Sequence, residues 1–335
     1  MSNKLEVGGV TVPGRVWIAP MTGVSDLPFR ETATALGAPY VATEMVASAE
    51  FAKGRPDVVR RAAVGEGLPL TVIQLVGRDI GFMAQGARMA EEAGAEIIDL
   101  NFGCPAKEVA AGAACGSALM REPELAEALV AAAVEAVDVP VTVKMRLGWD
   151  VDSLNAPDIA RRAEAAGAKA ITVHGRTRNQ FYKGVADWTA VSAVKRAVSV
   201  PVLVNGDVVD GDSARQALAQ SGADGVMIGR GVYGRPWIAV AIEAALEGRG
   251  FVEPGPEERL AIALTHFRRS LAFYGERLGL KMFRKHLASY IEAAPWPETA
   301  EARRAARADL CRLETPDAVE AALSDLWLAG RRLAA

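Results

Sequence analysis

Cysteine is scarce: Cys104, Cys115 and Cys311 are the only three in 335 residues. They make no paired framework and no metal-ligand spacing, so neither a disulfide-stapled fold nor a metal is expected. Free thiols fit a reducing cytosol. Long apolar runs are also missing. The Ala-rich stretch after Glu124 is broken by Glu127 and Glu135, so no segment is expected to span a membrane. The first seven residues lack the apolar core of a signal peptide. No Gly-x-Gly-x-x-Gly follows a strand, so a tightly held NAD-type site is not indicated. Nor does one charge dominate. A net charge of −3 excludes a chain that attracts polyanions as a whole.

With 50% hydrophobic and 24% charged residues, the length suits one large domain and a smaller one. Short β-branched runs at 16–20, 40–43, 70–76, 96–101, 141–145, 170–174, 202–205 and 225–228 alternate with longer amphipathic stretches. Ser25-Asp26 and Asp79 read as helix starts; Gly167 and Gly222 read as stops. Eight such units predict an α/β fold, a (β/α)₈ TIM barrel, in preference to an open doubly wound sheet. Residues 7–16 read as a hairpin capping the barrel's bottom. Glu253-Pro254-Gly255-Pro256 reads as a linker. Beyond it the pattern is helical, with breaks at Ala294-Pro295-Trp296-Pro297 and Thr315-Pro316. The expected division is a catalytic barrel over 1–252 and an all-α domain over 257–335. Residues 257–335 carry 13 Lys+Arg against 11 Asp+Glu, and between Arg268 and Lys285 six basic residues face one acid, Glu276. A local patch of that kind is enough for nucleic-acid binding.

The carboxyl ends of barrel strands are where such folds place chemistry. Here they offer Met21-Thr22, Glu44, Gln74, Asn101 with Cys104, Lys144 with Arg146, His174 with Arg176 and Arg178, Asn205-Gly206-Asp207, and Gly229-Arg230. Each alone has a bland explanation, such as a loop cap or a solvated charge. Together they imply a polar ligand, because buried polar groups cost free energy unless paired. The glycine loops after strands 7 and 8 suit a phosphate held by backbone amides, with Arg230 as a positive fork. A phosphate there, an amide at Gln74 and a cation at Lys144 fit flavin mononucleotide across the barrel mouth.

At this level of detail the chain resembles the bacterial tRNA-dihydrouridine synthase family, closest to its B-type branch. The resemblance rests on residues 19–30 (APMTGVSDLPFR), 101–107 (NFGCPAK), 116–120 (GSALM), 143–146 (VKMR), 174–178 (HGRTR), Asn205-Gly206-Asp207, Ile228-Gly229-Arg230, Gly234-Arg235-Pro236-Trp237 and Arg284-Lys285-His286-Leu287. It implies FMN contacts from Pro20, Met21, Thr22, Gln74, Lys144, His174, Asn205, Gly206, Asp207, Gly229 and Arg230. It implies Cys104 as the proton donor, NADPH as the reductant and tRNA as the partner. Asn101, Arg176, Arg178, Lys281, Arg284 and Lys285 are the expected substrate contacts. Thr22 stands where relatives often have Ala, and Ala288-Ser289 replaces a common Gly-Trp. The expected product is 5,6-dihydrouridine, formed by hydride to C6 of uridine and a proton from Cys104 to C5. A cytoplasmic monomer is expected.

A thiol of ordinary pKa, roughly 8.5, is mostly protonated at neutral pH and suits an acid rather than a nucleophile. The light segment 106–116 reads as a closing lid. An FMN-dependent oxidoreductase of a small dihydropyrimidine-type substrate is the alternative; it leaves the basic helical tail unexplained. A non-redox phosphate-binding barrel with a structural Cys104 is the other.

Overall fold

The computed structural model describes residues 4–65, 67–294 and 299–332. Ten strands occur in order: β1 (Leu5–Val7), β2 (Val10–Val12), β3 (Val16–Ile18), β4 (Ala42–Ala47), β5 (Val72–Val76), β6 (Ile97–Phe102), β7 (Val141–Arg146), β8 (Ile171–His174), β9 (Val202–Asn205) and β10 (Gly225–Ile228). The last eight form one parallel sheet in the order β3-β10-β9-β8-β7-β6-β5-β4. A parallel bridge between Ile18 and Val41 joins its two ends, with Ile18 N donating to Tyr40 O at 2.9 Å. The sheet is therefore a closed (β/α)₈ barrel. Near-continuous Val, Ile and Leu suit strands buried on both faces, and most strand residues are fully buried.

Helix boundaries follow local chemistry. Asp26 caps the helix Leu27–Ala35 by accepting from Phe29 N at 3.1 Å, and Asp79 caps Ile80–Glu92 in the same way. The second barrel strand, β4, differs from expectation: it runs Ala42–Ala47, so Glu44 lies inside it. The pairing of β4 with β5 is irregular between Ala42 and Met45, and this lets Glu44 turn inward to accept from Gly23 N at 2.6 Å. The hairpin is also shifted, to residues 5–12. Gly8 and Gly9 both have positive φ and form its two-residue turn, whereas Pro13-Gly14 only leads into β3. Leu5, Val7 and Val12 pack on Trp17, Tyr40 and Ile97 at the strand starts.

Beyond the barrel lie four helices among the described residues, Pro256–Tyr274, Glu276–Ala293, Ala300–Leu310 and Pro316–Arg332. The expected break at Pro295–Pro297 lies outside the described residues. These helices share a separate apolar core of Leu260, Phe267, Phe283, Leu287, Ile291, Leu323 and Trp327. They dock beside Leu27–Ala35: Arg269 donates to Thr32 Oγ1 at 3.0 Å, and Tyr274 Oη donates to Asp26 at 3.1 Å. No helix among the described residues is long and apolar enough to cross a membrane.

Candidate active site

β6 ends in Asn101-Phe102, and the chain then leaves the sheet through Gly103, Cys104 and Pro105. Asn101 organises that exit. Its Oδ1 accepts from Gly103 N at 3.1 Å and from Cys104 N at 2.9 Å. Its Nδ2 donates to Gln74 Oε1 at 2.7 Å. Gln74 Nε2 donates in turn to Asp99 Oδ2 at 2.6 Å, and Thr142 Oγ1 donates to Asp99 Oδ1 at 2.7 Å. The register explains the chain, since Gln74 pairs with Asp99 and Asp99 with Thr142 across β5, β6 and β7. Burial raises the Asp99 carboxyl, opposed by those same hydrogen bonds. The Cys104 loop is thus anchored to a polar network inside the barrel.

The Cys104 thiol is half-buried. Burial raises its pKa, and a hydrogen bond from Ala106 N and the charges of Arg146 and Lys144 pull the other way. It remains a thiol at neutral pH. After it, residues 106–116 are not featureless: Glu108–Gly112 forms a π-helical turn, and Ser117 returns to donate twice to Cys104 O. Cys115 is buried, its thiol pushed up to about 11 by burial and by the neighbouring Cys104.

On β7, Lys144 Nζ donates to Asn205 Oδ1 at 3.1 Å, and Asn205 Nδ2 donates to Met227 O at 2.7 Å. Burial, then the charge of Arg146, lowers Lys144 to about 8. Arg146, read from the sequence as a strand-end residue without an assigned role, is fully buried. It donates to Gly103 O at 2.7 Å and to Thr177 O and Phe181 O at 2.8 Å each. It therefore ties the Cys104 loop to the loop after β8. Its position at the end of an apolar strand was the available signal. His174 is held neutral by burial and by Arg146, Lys144 and Arg176.

Arg176 and Arg178, expected as substrate contacts, both make contacts within the fold. Arg176 is 1% exposed. Its guanidinium is taken by Lys183 O, Gly184 O and Asp207 Oδ2, the last at 2.6 Å. Arg178 stacks on Trp149 and Phe181, with Arg121 on Trp149 as well. Exposed Tyr182, also unanticipated, lies against the guanidinium groups of both Arg146 and Arg230.

The loops after β9 and β10 supply backbone donors. Among the described residues, no turn or loop hydrogen bond uses the amides of Gly206, Asp207, Gly229 and Arg230. A Cβ built on Gly229 would meet nothing within 4 Å. Arg230 is exposed and only loosely paired to Asp207, at 3.5 Å. Asp207 Oδ2 accepts from Arg176 and from Ala186 N.

Next to β10 in the barrel, the loop after β3 carries Pro20, Met21 and Thr22. Met21 N donates to Ser25 Oγ at 2.9 Å, and Thr22 O accepts from Lys285 Nζ at 2.9 Å. The helix Glu276–Ala293 thus touches the barrel mouth directly. Its face carrying Arg277, Lys281, Arg284 and Lys285 is exposed, and Leu280, Phe283 and Leu287 are buried. The stripe opens on two clefts. Arg277 and Lys281 line a small one of 380 Å³. Arg284 and Lys285 line a groove of 1160 Å³, together with Arg235, Arg304 and Arg307. Those last three arginines were not anticipated, because they come from segments far apart in sequence.

The model of the dihydrouridine synthase (Dus) family matches residues 17–325. A probable tRNA-dihydrouridine synthase of Rhodobacter capsulatus is 53% identical over 293 residues, covering 87% of this chain and 90% of the relative. One of Rhizobium leguminosarum bv. phaseoli is 50% identical, covering 84% and 87%. The tRNA-dihydrouridine synthase B of Pseudomonas aeruginosa is 42% identical over 316 residues, covering 94% and 93%. Among solved structures, a 2-naphthoyl-CoA reductase complexed with 2-naphthoyl-CoA superposes with TM-score 0.56 at 12% identity, over 74% of this chain and 52% of that one. That likeness shows the fold alone.

Proposed function

The chain belongs to the dihydrouridine synthase family, and from that premise we propose that it reduces uridines of tRNA to 5,6-dihydrouridine with bound FMN. The observation that carries the reading is the convergence on one barrel mouth of Cys104, half-buried and protonated, with Lys144 and four loop amides that no turn or loop hydrogen bond uses. The residues present fit FMN. The amides of Gly206, Asp207, Gly229 and Arg230, with the Arg230 guanidinium, would hold its phosphate. Lys144 and the 20–22 loop would hold its ring. Gln74 faces the ring indirectly, because both ends of its amide are committed to Asp99 and Asn101.

When bound, the flavin supplies the hydride that saturates C6 of the uracil. Negative charge then grows at C5 and O4, and Cys104 delivers a proton to C5 as a general acid. Asn101, Arg146 and Ser117 fix the loop that carries the thiol. The target base must leave its stack to reach this depth, and exposed Tyr182 offers a ring beside the entrance. The basic groove from Arg235 to Arg307 and the Lys281 cleft would bind the tRNA backbone. In this reading residues 1–252 are the catalytic barrel and 257–335 the tRNA-binding domain. NADPH is the reductant, and one cytoplasmic chain is the working unit. The purified protein should show flavin absorbance that bleaches with NADPH. A colourless protein that also fails to take up added FMN contradicts the proposal.

A further inference from the structure

Two of the chain's three histidines, His266 and His286, meet Asp26 in a buried cluster where the C-terminal helices dock on the barrel. Asp26 belongs to the loop that enters the first barrel helix. His266 and His286 belong to the paired helices that dock on it. All three are at least nine-tenths buried, and one ligand atom from each lies within 4.8 Å of the others. His286 Nε2 is 4.0 Å from Asp26 Oδ1.

Both histidines leave Nε2 buried without a hydrogen-bond partner. Two such orphans side by side are costly, on the order of 1–3 kcal/mol each, unless something occupies the space between them. Their surroundings are arranged as a metal's outer shell would be. Tyr290 Oη engages His266 Nδ1 at 3.2 Å, which fixes the ring and leaves Nε2 as the ligand atom. Tyr274 Oη and Phe29 N donate to the two Asp26 oxygens, orienting the carboxylate and leaving a lone pair free on each. The rings of His266 and His286 sit edge to face, 4.3 Å between centroids, walled by Phe29 and Phe283. The nearby cations are held elsewhere: Arg30 on Ser25 O and Ala63 O, Arg269 on Thr32 and Glu31, Lys285 on Thr22 O.

We propose that Asp26, His266 and His286 bind a divalent transition ion of the Zn²⁺ class, which pins the helical segment onto the barrel. Two imidazoles and one carboxylate are a recognised donor set for such ions, with water in the fourth place. Tetrahedral bonds of ~2.0–2.2 Å set ligand atoms roughly 3.3–3.6 Å apart, so the cluster closes around an ion by side-chain rotations of about an ångström or less. The scarcity of cysteine hid the site. Its ligands come from both ends of the chain and meet only when the helices dock.

The test uses the full-length protein with its cofactor. It is dialysed against chelator and titrated with Zn²⁺, and separately with Co²⁺, whose visible bands report tetrahedral coordination. The expected result is uptake of about one ion per chain and a higher unfolding midpoint with metal. Asp26→Asn keeps the helix cap but removes the charged ligand, and His286→Gln keeps a polar side chain. Each should weaken uptake at least 100-fold and abolish the thermal response to Zn²⁺, with the far-ultraviolet spectrum unchanged. Should a variant misfold, the wild-type titration and the Co²⁺ spectrum decide alone. No stoichiometric uptake, a Co²⁺ spectrum without tetrahedral bands, or uptake undiminished in folded Asp26→Asn and His286→Gln overturns the proposal and leaves the cluster a buried water site.

Discussion

Asn101→Ala tests whether the reactive thiol is positioned from beneath. The substitution deletes an acceptor for Gly103 N and Cys104 N and a donor to Gln74 Oε1. A net hydrogen bond is worth about 1 kcal/mol. The two loop amides are half-exposed, so water recovers part of their loss. Gln74 is fully buried, and its orphaned oxygen costs on the order of 1–3 kcal/mol. The expected destabilisation is therefore ~2–4 kcal/mol in urea unfolding. Activity should suffer separately, because a misplacement of about 1 Å can cost roughly 10²-fold. That loss should fall on kcat more than on KM for tRNA, since both ends of the Asn101 amide are committed within the protein. Asn101→Asp keeps the acceptor for both amides and loses only the donor. It should recover much of the lost kcat while remaining unstable, with a carboxylate set against Gln74 Oε1. Wild-type stability and turnover in Asn101→Ala would refute the reasoning. Equal loss of kcat in both variants would show that the loop amides are not what matters.

Cys104→Ala should retain FMN and tRNA binding, and flavin reduction by NADPH, but lose on the order of 10²–10⁴-fold in uridine reduction. Cys115→Ala should cost far less, and equal losses in the two variants would contradict the assignment. Lys144, lowered to about 8 by burial, gives a pH signature. Between pH 8 and the ordinary lysine value the unfolded chain binds the proton that the folded chain has released, so stability rises with pH there. In cofactor-free protein the excess stability of Lys144→Met over wild type should shrink from about pH 8 to 10, read from urea midpoints; a constant difference counts against it. Gly229→Val should purify with little flavin, because its side chain enters space that is open to 4 Å at the Cβ and that the phosphate would take. Gly206→Ala should be unstable as well, because φ is +112° and its Cβ would lie 2.8 Å from Ala186 Cβ. Normal flavin content in Gly229→Val would move the phosphate elsewhere.

The barrel was legible because its strands are apolar runs and its helices are punctuated by Asp26, Asp79 and Gly222, signals that act locally. The bulged second strand was not, because Glu44 reads as a strand end until its partner at Gly23 is known. At the site, the residues at strand ends could be read off, but their roles depend on partners from other strands. Asp99 is a carboxylate inside an apolar run, a visible oddity whose meaning appears only with Gln74 and Thr142 beside it. Arg176 looks in sequence like any exposed arginine after a strand; only the fold shows its donors taken. Gly279 lies inside the helix Glu276–Ala293. Its missing Cβ lets the helix Pro256–Tyr274 approach, since an added one would lie 2.8 Å from Ser270 O.

The most direct test of the central claim is dihydrouridine formation on tRNA that lacks it, with purified protein, FMN and NADPH. The account expects dihydrouridine to accumulate with wild-type protein and to fall by at least about 100-fold with Cys104→Ala, while both proteins bleach their flavin at similar rates. A flavin-bearing wild-type protein that forms no dihydrouridine, or a Cys104→Ala protein that forms it at the wild-type rate, would contradict it.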